Sequence, residues 1–376
     1  MKKSIFFGVI LVSVWVMWAS LGRSVELIEP TIHLDTKEVI STTSTCDRNV
    51  VAIQPYMLTE DYTSESHFYE KIKAYFEEAS QAGYFNPNTV VLLPEYLGTW
   101  LVISGEKGSV SDVRHIKGAM TIMILSNPIK FIQAYLKNVG EDDSFGASLF
   151  RMKADEMARI YSEIFIELST HYNVTIIPGS ILLPGPSVMD NKIKVELSKP
   201  IYNTSFVFRP TGEIEQQIVK KSFPITSELP LISANPTDEL GMYDLPIGKT
   251  AVLVCADSWY PESYVQIKKL NAEVVLVNSF STGNNIMSSK WNGYDGKDEP
   301  KDVNQQDIGE ISEKEAWVKY ALPGRISNSS AVIGVNVFLR GALWDLGSDG
   351  QPFFIKNGNL IDSKPSDHAG IWNFCF

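Results

Sequence analysis

An α/β fold, with helices packed outside its sheets, is what this chain predicts, on three observations. Short apolar runs of strand length recur along it, among them Asn49–Gln54 (NVVAIQ), Thr89–Leu93 (TVVLL) and Thr250–Val254 (TAVLV). The first two are separated by an amphipathic stretch, giving strand–helix–strand, the opening of a layered α/β domain. A turn signal at Pro210-Thr211-Gly212-Glu213 then marks a hairpin in the middle of the chain.

The elements follow in order. Lys2 and Lys3 precede an uncharged, mostly apolar run from Ile5 to Gly22. That is a basic n-region ahead of a hydrophobic h-region. Ser20 and Gly22 are small residues at −3 and −1 of a cleavage after Gly22. Residues 1–22 therefore read as a signal peptide or, alternatively, as an uncleaved membrane anchor. On either reading the protein is exported, to a periplasm or the exterior, and the anchor would associate it with a membrane. No cysteine closes the apolar run, so a lipid-modified N-terminus is not supported. Residues 23–46 have little periodicity and read as a linker. Residues 47–376 read as one domain.

Within that domain His67–Ala82 carries Phe68, Ile72, Tyr75, Phe76 and Ala79 at helical spacing. Residues 104–117 read as loop. Gly118–Leu136 is apolar and rich in Met and Ile, with Pro128 breaking or kinking it. It reads as a buried helix pair or, alternatively, as a lid or membrane-facing surface beside a site. Ser148–His171 is a long helix. Asn173–Pro178 and Ile201–Arg209 are strands, and Ile214–Phe223 pairs back across the turn. Strand Thr250–Val254 leads into a helix ending near Leu270. Glu273–Asn278 is a strand, Glu313–Asn328 a helix, Ala331–Phe338 a strand, and short strands finish the chain.

Composition narrows the function. With 44% apolar residues the chain can fill a large core. A net charge of −11 leaves no basic patch to neutralise phosphates, which argues against a nucleic-acid partner. Five histidines occur, none in an obvious motif, and no His/Cys/Asp cluster has metal-ligand spacing. Three cysteines, Cys46, Cys255 and Cys375, leave one unpaired in an oxidising compartment. The expected arrangement is a Cys46–Cys375 bridge joining the two chain ends with Cys255 free. Three free thiols is the alternative.

The candidate chemistry centres on AVLVCADSWYPE. The apolar strand stops at Cys255, and Asp257, Ser258 and Pro261 mark a sharp turn into a helix. Free backbone N–H groups and a helix N-terminus there would lower the thiol pKa. The plainer reading is a buried structural cysteine. Glu95 follows the strand TVVLLP, and Lys220 or Lys221 ends the strand after Gly212. Taken singly, Glu and Lys at strand ends are usually solvated. If the three strands are neighbours, a carboxylate, an ammonium and a thiol share one rim, the usual place for sites in α/β proteins. The carboxylate could then serve as general base for the thiol, and the ammonium could stabilise an oxyanion.

The same segments resemble the three signature regions of the nitrilase superfamily, the carbon–nitrogen hydrolases with a Glu–Lys–Cys triad. The first is VVLLPEY. The second is YNTSFVFRPTGEIEQQIVKKSFPITSE. The third is LVCADSWYPE. Further on, LPGRISNSSAVIGVN resembles the family's R-A-x-E-N helix and following strand. Order and spacing agree over nearly all of residues 47–376. The resemblance implies an α-β-β-α sandwich and chemistry that needs no cofactor. It implies Glu95 as base, Cys255 as nucleophile and a lysine as transition-state stabiliser. Counting from Gly212 favours Lys220. Counting back from Pro224 and Glu228 favours Lys221, which is preferred because only one of two adjacent strand residues can point inward. Glu228 would be a second carboxylate, and the amide of Ala256 would join the lysine in holding the oxyanion.

Some features depart from the family. Ser327-Asn328 stands where the R-A-x-E-N helix has Glu-Asn, and Ser222 or Phe223 stands where many amidases have His. Residues 104–147 look like an insertion. Asp257 after the cysteine is closer to amidase-like branches than to true nitrilases. The resemblance therefore implies hydrolysis of a small non-peptide amide, by a protein whose relatives are often homo-oligomers. The rival readings are an N-acyltransferase passing the same thioester to an amine, and a silent binding protein on the same scaffold.

Overall fold

The computed structural model describes residues 2–23, 25–27 and 29–376, the first four of these by backbone alone. From its N-terminus the chain runs α1 (Lys2–Ser20), β1 (Leu34–Ser41), β2 (Asn49–Gln54), α2 (Glu65–Gln81), β3 (Thr89–Leu93), α3 (Ile116–Ser126), α4 (Pro128–Tyr135) and α5 (Ser144–Tyr172). Then come β4 (Thr175–Pro178), β5 (Ser180–Pro184), β6 (Ile201–Ser205), β7 (Val219–Lys220), β8 (Gly241–Leu245), β9 (Gly248–Val254), α6 (Pro261–Lys269) and β10 (Val274–Ser279). The chain closes with α7 (Glu313–Tyr320), β11 (Ile333–Phe338), β12 (Phe353–Lys356), β13 (Asn359–Ile361) and β14 (Ala369–Cys375).

Two sheets stack face to face. One has the order β1-β14-β2-β3-β4, the other β8-β9-β10-β11-β12-β13. The period of two along each strand divides the core between layers. Val50, Ala52, Val90 and Leu92 join Val252, Leu276 and Val337 in the core between the sheets. Their neighbours Val51, Ile53, Val91 and Leu93 instead pack with Phe68, Ile72 and Phe76 of α2 and Phe165 of α5. On the far side Tyr264 of α6 and Trp317 of α7 cover the second sheet. Helices thus lie outside both sheets, the expected α-β-β-α sandwich. A smaller antiparallel sheet, β7-β6-β5, sits beside them and carries the lysine region.

The two chain ends are joined as expected. Cys46 and Cys375 form a disulfide, and Cys255 is free. Residues 23–46 are more than a linker, however. Leu34–Ser41 pairs in parallel with β14, Val39 opposite Asn373. The pattern missed it because LDTKEVIS is an edge strand, largely solvent-facing, whose partner lies more than 300 residues away. Ser24 and Ile28 of that stretch lie outside the described residues, as do the Lys2 and Lys3 side chains. Helix α1 carries part of the apolar run, and Trp15 Nε1 donates to Leu125 O at 3.0 Å. Among the described residues no helix is long and apolar enough to cross a membrane.

Three elements differ from their sequence reading. The helix expected over 313–328 stops at Tyr320. Ala321 is extended, and Pro323 cannot supply the N–H that a continuing helix needs. Regular pairing in Ile201–Arg209 ends at Ser205, and the return strand is regular only at Val219–Lys220. The apolar Gly118–Leu136 is a helix pair broken at Pro128, which opens α4 at its first position. It is not buried all round: Ala119, Met123, Phe131 and Ala134 face inward, while Leu125, Ile129, Ile132 and Leu136 are exposed.

Candidate active site

Glu95, Lys221 and Cys255 line one cavity. Each is placed there by backbone that the apolar pattern alone does not specify. Cys255 follows the last residue of β9 with φ +46°, a left-handed conformation that is uncommon for a side-chain-bearing residue. Two contacts hold the turn Cys255–Trp259. Ser258 Oγ donates to the Cys255 carbonyl at 2.7 Å, and Asp257 accepts from the Val254 N–H at 3.2 Å. The other oxygen of Asp257 accepts from the N–H groups of Ser222 and Phe223, both at 2.9 Å. One carboxylate therefore ties the cysteine turn to the segment just after Lys221. Burial pushes Asp257 up to about 6, against the opposing pull of Lys221 and of those N–H donors.

Glu95 leaves β3 through Pro94, and Tyr96 behind it again has positive φ, +63°. Gly179 makes this approach feasible. It sits at φ +72°, and a Cβ there would lie 1.8 Å from the Pro94 carbonyl oxygen. Glu95 is buried. Its Oε1 accepts from Lys221 Nζ at 2.9 Å and Asn203 Nδ2 at 2.8 Å, and its Oε2 from the Phe280 N–H at 3.0 Å. Lys221 Nζ also lies 2.8 Å from Glu228 Oε2, and the Tyr96 hydroxyl donates to Glu228 Oε1. The adjacent Lys220 faces the other way, its Nζ 4.7 Å over the Tyr202 ring. Strand alternation thus selects Lys221 for the cavity.

The electrostatics follow from burying two carboxylates with one ammonium. Burial raises Glu95 to about 7; Lys221 pulls it down, and Glu228 pushes it further up. Burial would lower Lys221, but Glu228 and Glu95 hold it well above the usual lysine value, so it stays an ammonium. The Cys255 thiol is a correction to the sequence expectation. Burial and then Glu95 push it well above the ordinary thiol value, with Lys221 opposing. The effect of nearby N–H groups is outweighed by desolvation and a neighbouring negative charge. Cys255 is therefore a thiol at rest, beside a carboxyl poised near neutrality to take its proton.

Ala256, beside the cysteine, and Glu228 also line the cavity, whose volume is about 730 Å³. Trp259, Trp291 and Trp317 line it, and so does the inward face of α3. Among the described residues, Thr99 Oγ1 and Trp100 Nε1, on two of its lining residues, are buried without hydrogen-bond partners. Sequence reasoning left Asn203, Tyr96 and the Phe280 N–H without a role. Asn203 had a signal, lying in the quoted YNTS segment. The Phe280 amide had none, since any residue supplies a backbone N–H.

Comparison with known proteins agrees with the fold. A family described as carbon-nitrogen hydrolase matches residues 50–293. A Bacillus subtilis (strain 168) protein named "Probable hydrolase YhcX" is 32% identical over 115 residues. That match covers 31% of this chain and only 20% of the relative's length. Among solved structures, an amidase from Nesterenkonia sp. superposes with a TM-score of 0.53 over 87% of this chain and 89% of its own, at 12% identity. A variant of the Nesterenkonia sp. AN1 amidase, with the acetamide moiety of fluoroacetamide covalently added at its active-site cysteine, gives 0.54 over 88% and 90%, also at 12% identity. At that identity the likeness is one of fold.

Proposed function

The chain belongs to the carbon–nitrogen hydrolase family of the nitrilase superfamily, and from that premise we propose that it hydrolyses a small-molecule, non-peptide amide through a thioester on Cys255. Glu95 takes the Sγ proton as the sulfur attacks the amide carbonyl. Lys221 and the Ala256 N–H receive the negative charge that develops on the carbonyl oxygen. The C–N bond then breaks, and the amine leaves with the proton held by Glu95. Glu95, again a carboxylate, takes a proton from water as the water oxygen adds to the thioester. The S–C bond breaks, the acid departs, and the proton returns to Cys255. Glu228 and Tyr96 act as positioning residues, holding the ammonium of Lys221 where the oxyanion forms.

The observation that carries this reading is the convergence of the three groups. Lys221 Nζ sits 2.9 Å from Glu95 Oε1, and both line the cavity with Cys255. The test is release of ammonia or amine from a panel of simple amides. The wild type turns over part of the panel and Cys255→Ala none of it. Full turnover by Cys255→Ala would rule the mechanism out. We also propose that the protein works in an exported, oxidising compartment. The Cys46–Cys375 disulfide supports this, since such bonds persist there and are rare in reducing cytosol.

A further inference from the structure

The cavity is far larger than the triad needs. At about 730 Å³ it falls in the range that encloses drug-sized ligands, whereas a two-carbon amide would leave most of it unfilled. A single helix face contributes a stretch of its wall. Ile116, Ala119, Met120 and Met123 of α3 all line it. Their spacing of i, i+3, i+4 and i+7 makes one continuous stripe. Leu149 and Phe150 at the start of α5 line it as well. None of these six side chains carries a charge or a hydrogen-bonding group. The charged residues of the cavity outside the triad cluster, such as Lys290, Asp295 and Glu313, come from the later part of the chain, with the tryptophans.

A wall of this kind rejects a charged or strongly polar substituent, which would lose its water without a partner. It rewards a flexible apolar one, because unbranched methionines re-pack around whatever occupies the space. We propose that the substrates are amides bearing an unbranched aliphatic chain, which lies along the Ile116–Ala119–Met120–Met123 face of α3 while the amide carbonyl reaches Cys255. The proposal rests on the amide-hydrolase reading and specifies its substrate class.

The test is a chain-length series on the wild-type protein. Straight-chain primary amides from acetamide upward place the chain on the acyl side, and N-alkyl acetamides place it on the amine side. In one of the two series kcat/KM is expected to rise about threefold to fourfold per added methylene until the cavity is full. Values that stay flat or fall beyond acetamide in both series, with turnover measurable, would overturn the chain site and leave the hydrolase reading standing. No release from any member would overturn both. Ala119→Phe fills the stripe at its centre and is expected to cut the ratio of long-chain to short-chain kcat/KM at least tenfold. Met120→Gln, which keeps the side-chain length but adds an amide, should cut the same ratio. Either folded variant with an unchanged ratio counts against the proposal.

Discussion

Lys221 Nζ lies 2.8 Å from Glu228 Oε2, and both side chains are buried. Glu228 is itself fixed by the Ile225 N–H at 2.8 Å and by the Tyr96 hydroxyl. The ammonium is therefore held from two sides, with Glu95 on the other. Removing one partner of a buried pair leaves a mispositioned charge, which costs more than the pair itself contributes. Glu228→Gln keeps the shape and loses the charge. It should lower kcat on the order of 10² to 10³-fold, the scale of losing one oxyanion donor, with a smaller change in KM. Steady-state kinetics on any accepted amide checks this. Tyr96→Phe should follow the same pattern more weakly.

The pH dependence follows from Glu95. Only its ionised form accepts the thiol proton, and burial has raised it to about 7. In the free enzyme kcat/KM should therefore fall about tenfold per pH unit below roughly pH 7. The stability linkage runs in the opposite direction. Glu95 is raised above its unfolded value of 4.5, so the fold favours the protonated form. That contribution is complete below pH 4.5 and is lost as pH rises through 7. A rate profile flat from pH 5 to 8 would remove Glu95 from the role of base.

The raised Cys255 thiol predicts low intrinsic reactivity. Thiolate, not thiol, is the nucleophile toward general reagents. Modification of Cys255 by an aromatic disulfide reagent at pH 7 should be slower than that of a free cysteine, and should accelerate steadily above pH 9. Slow neutral-pH labelling consequently fails to distinguish an enzyme from an inert binding relic, so turnover has to make that distinction. Rapid labelling at pH 7 would show that the thiolate is already formed.

Gly179 provides a test of how the base is positioned. A methyl group there meets the Pro94 carbonyl at 1.8 Å, in a left-handed backbone. Gly179→Ala should destabilise the fold by more than about 1 kcal/mol. It should also displace Glu95, one residue beyond Pro94. Chemical denaturation and amide turnover measure the two effects separately.

The Cys46–Cys375 bond closes almost the whole chain. Loop-closure entropy predicts that Cys46→Ser lowers stability by about 2–5 kcal/mol. Its first effect should be on the pairing of Leu34–Ser41 with Ala369–Cys375, read by hydrogen exchange in those strands. The active-site cavity lies elsewhere, so turnover at low temperature should persist.

Much of this protein could be read in its residues. The bounds of Asn49–Gln54 and Thr89–Leu93 were legible because strands buried on both faces are continuous apolar runs with polar stops. Glu95 and Cys255 stood out because each follows such a run, and Lys221 because of its spacing to Pro224 and Glu228 in a recognisable segment. The edge strand Leu34–Ser41 was hidden, since a solvated edge needs no apolar pattern. So was the break at Ala321, where one proline outweighs a helical pattern.

The residues alone determined the layers and the chemical types at the site, because periodicity and residue identity are local properties. The tertiary structure decided the protonation states and the size of the cavity. It put Glu228 and Glu95 on either side of one ammonium, pushed the thiol up instead of down, and turned one face of α3 toward Cys255. Those outcomes depend on distance and desolvation between segments far apart in the chain, which no local pattern encodes.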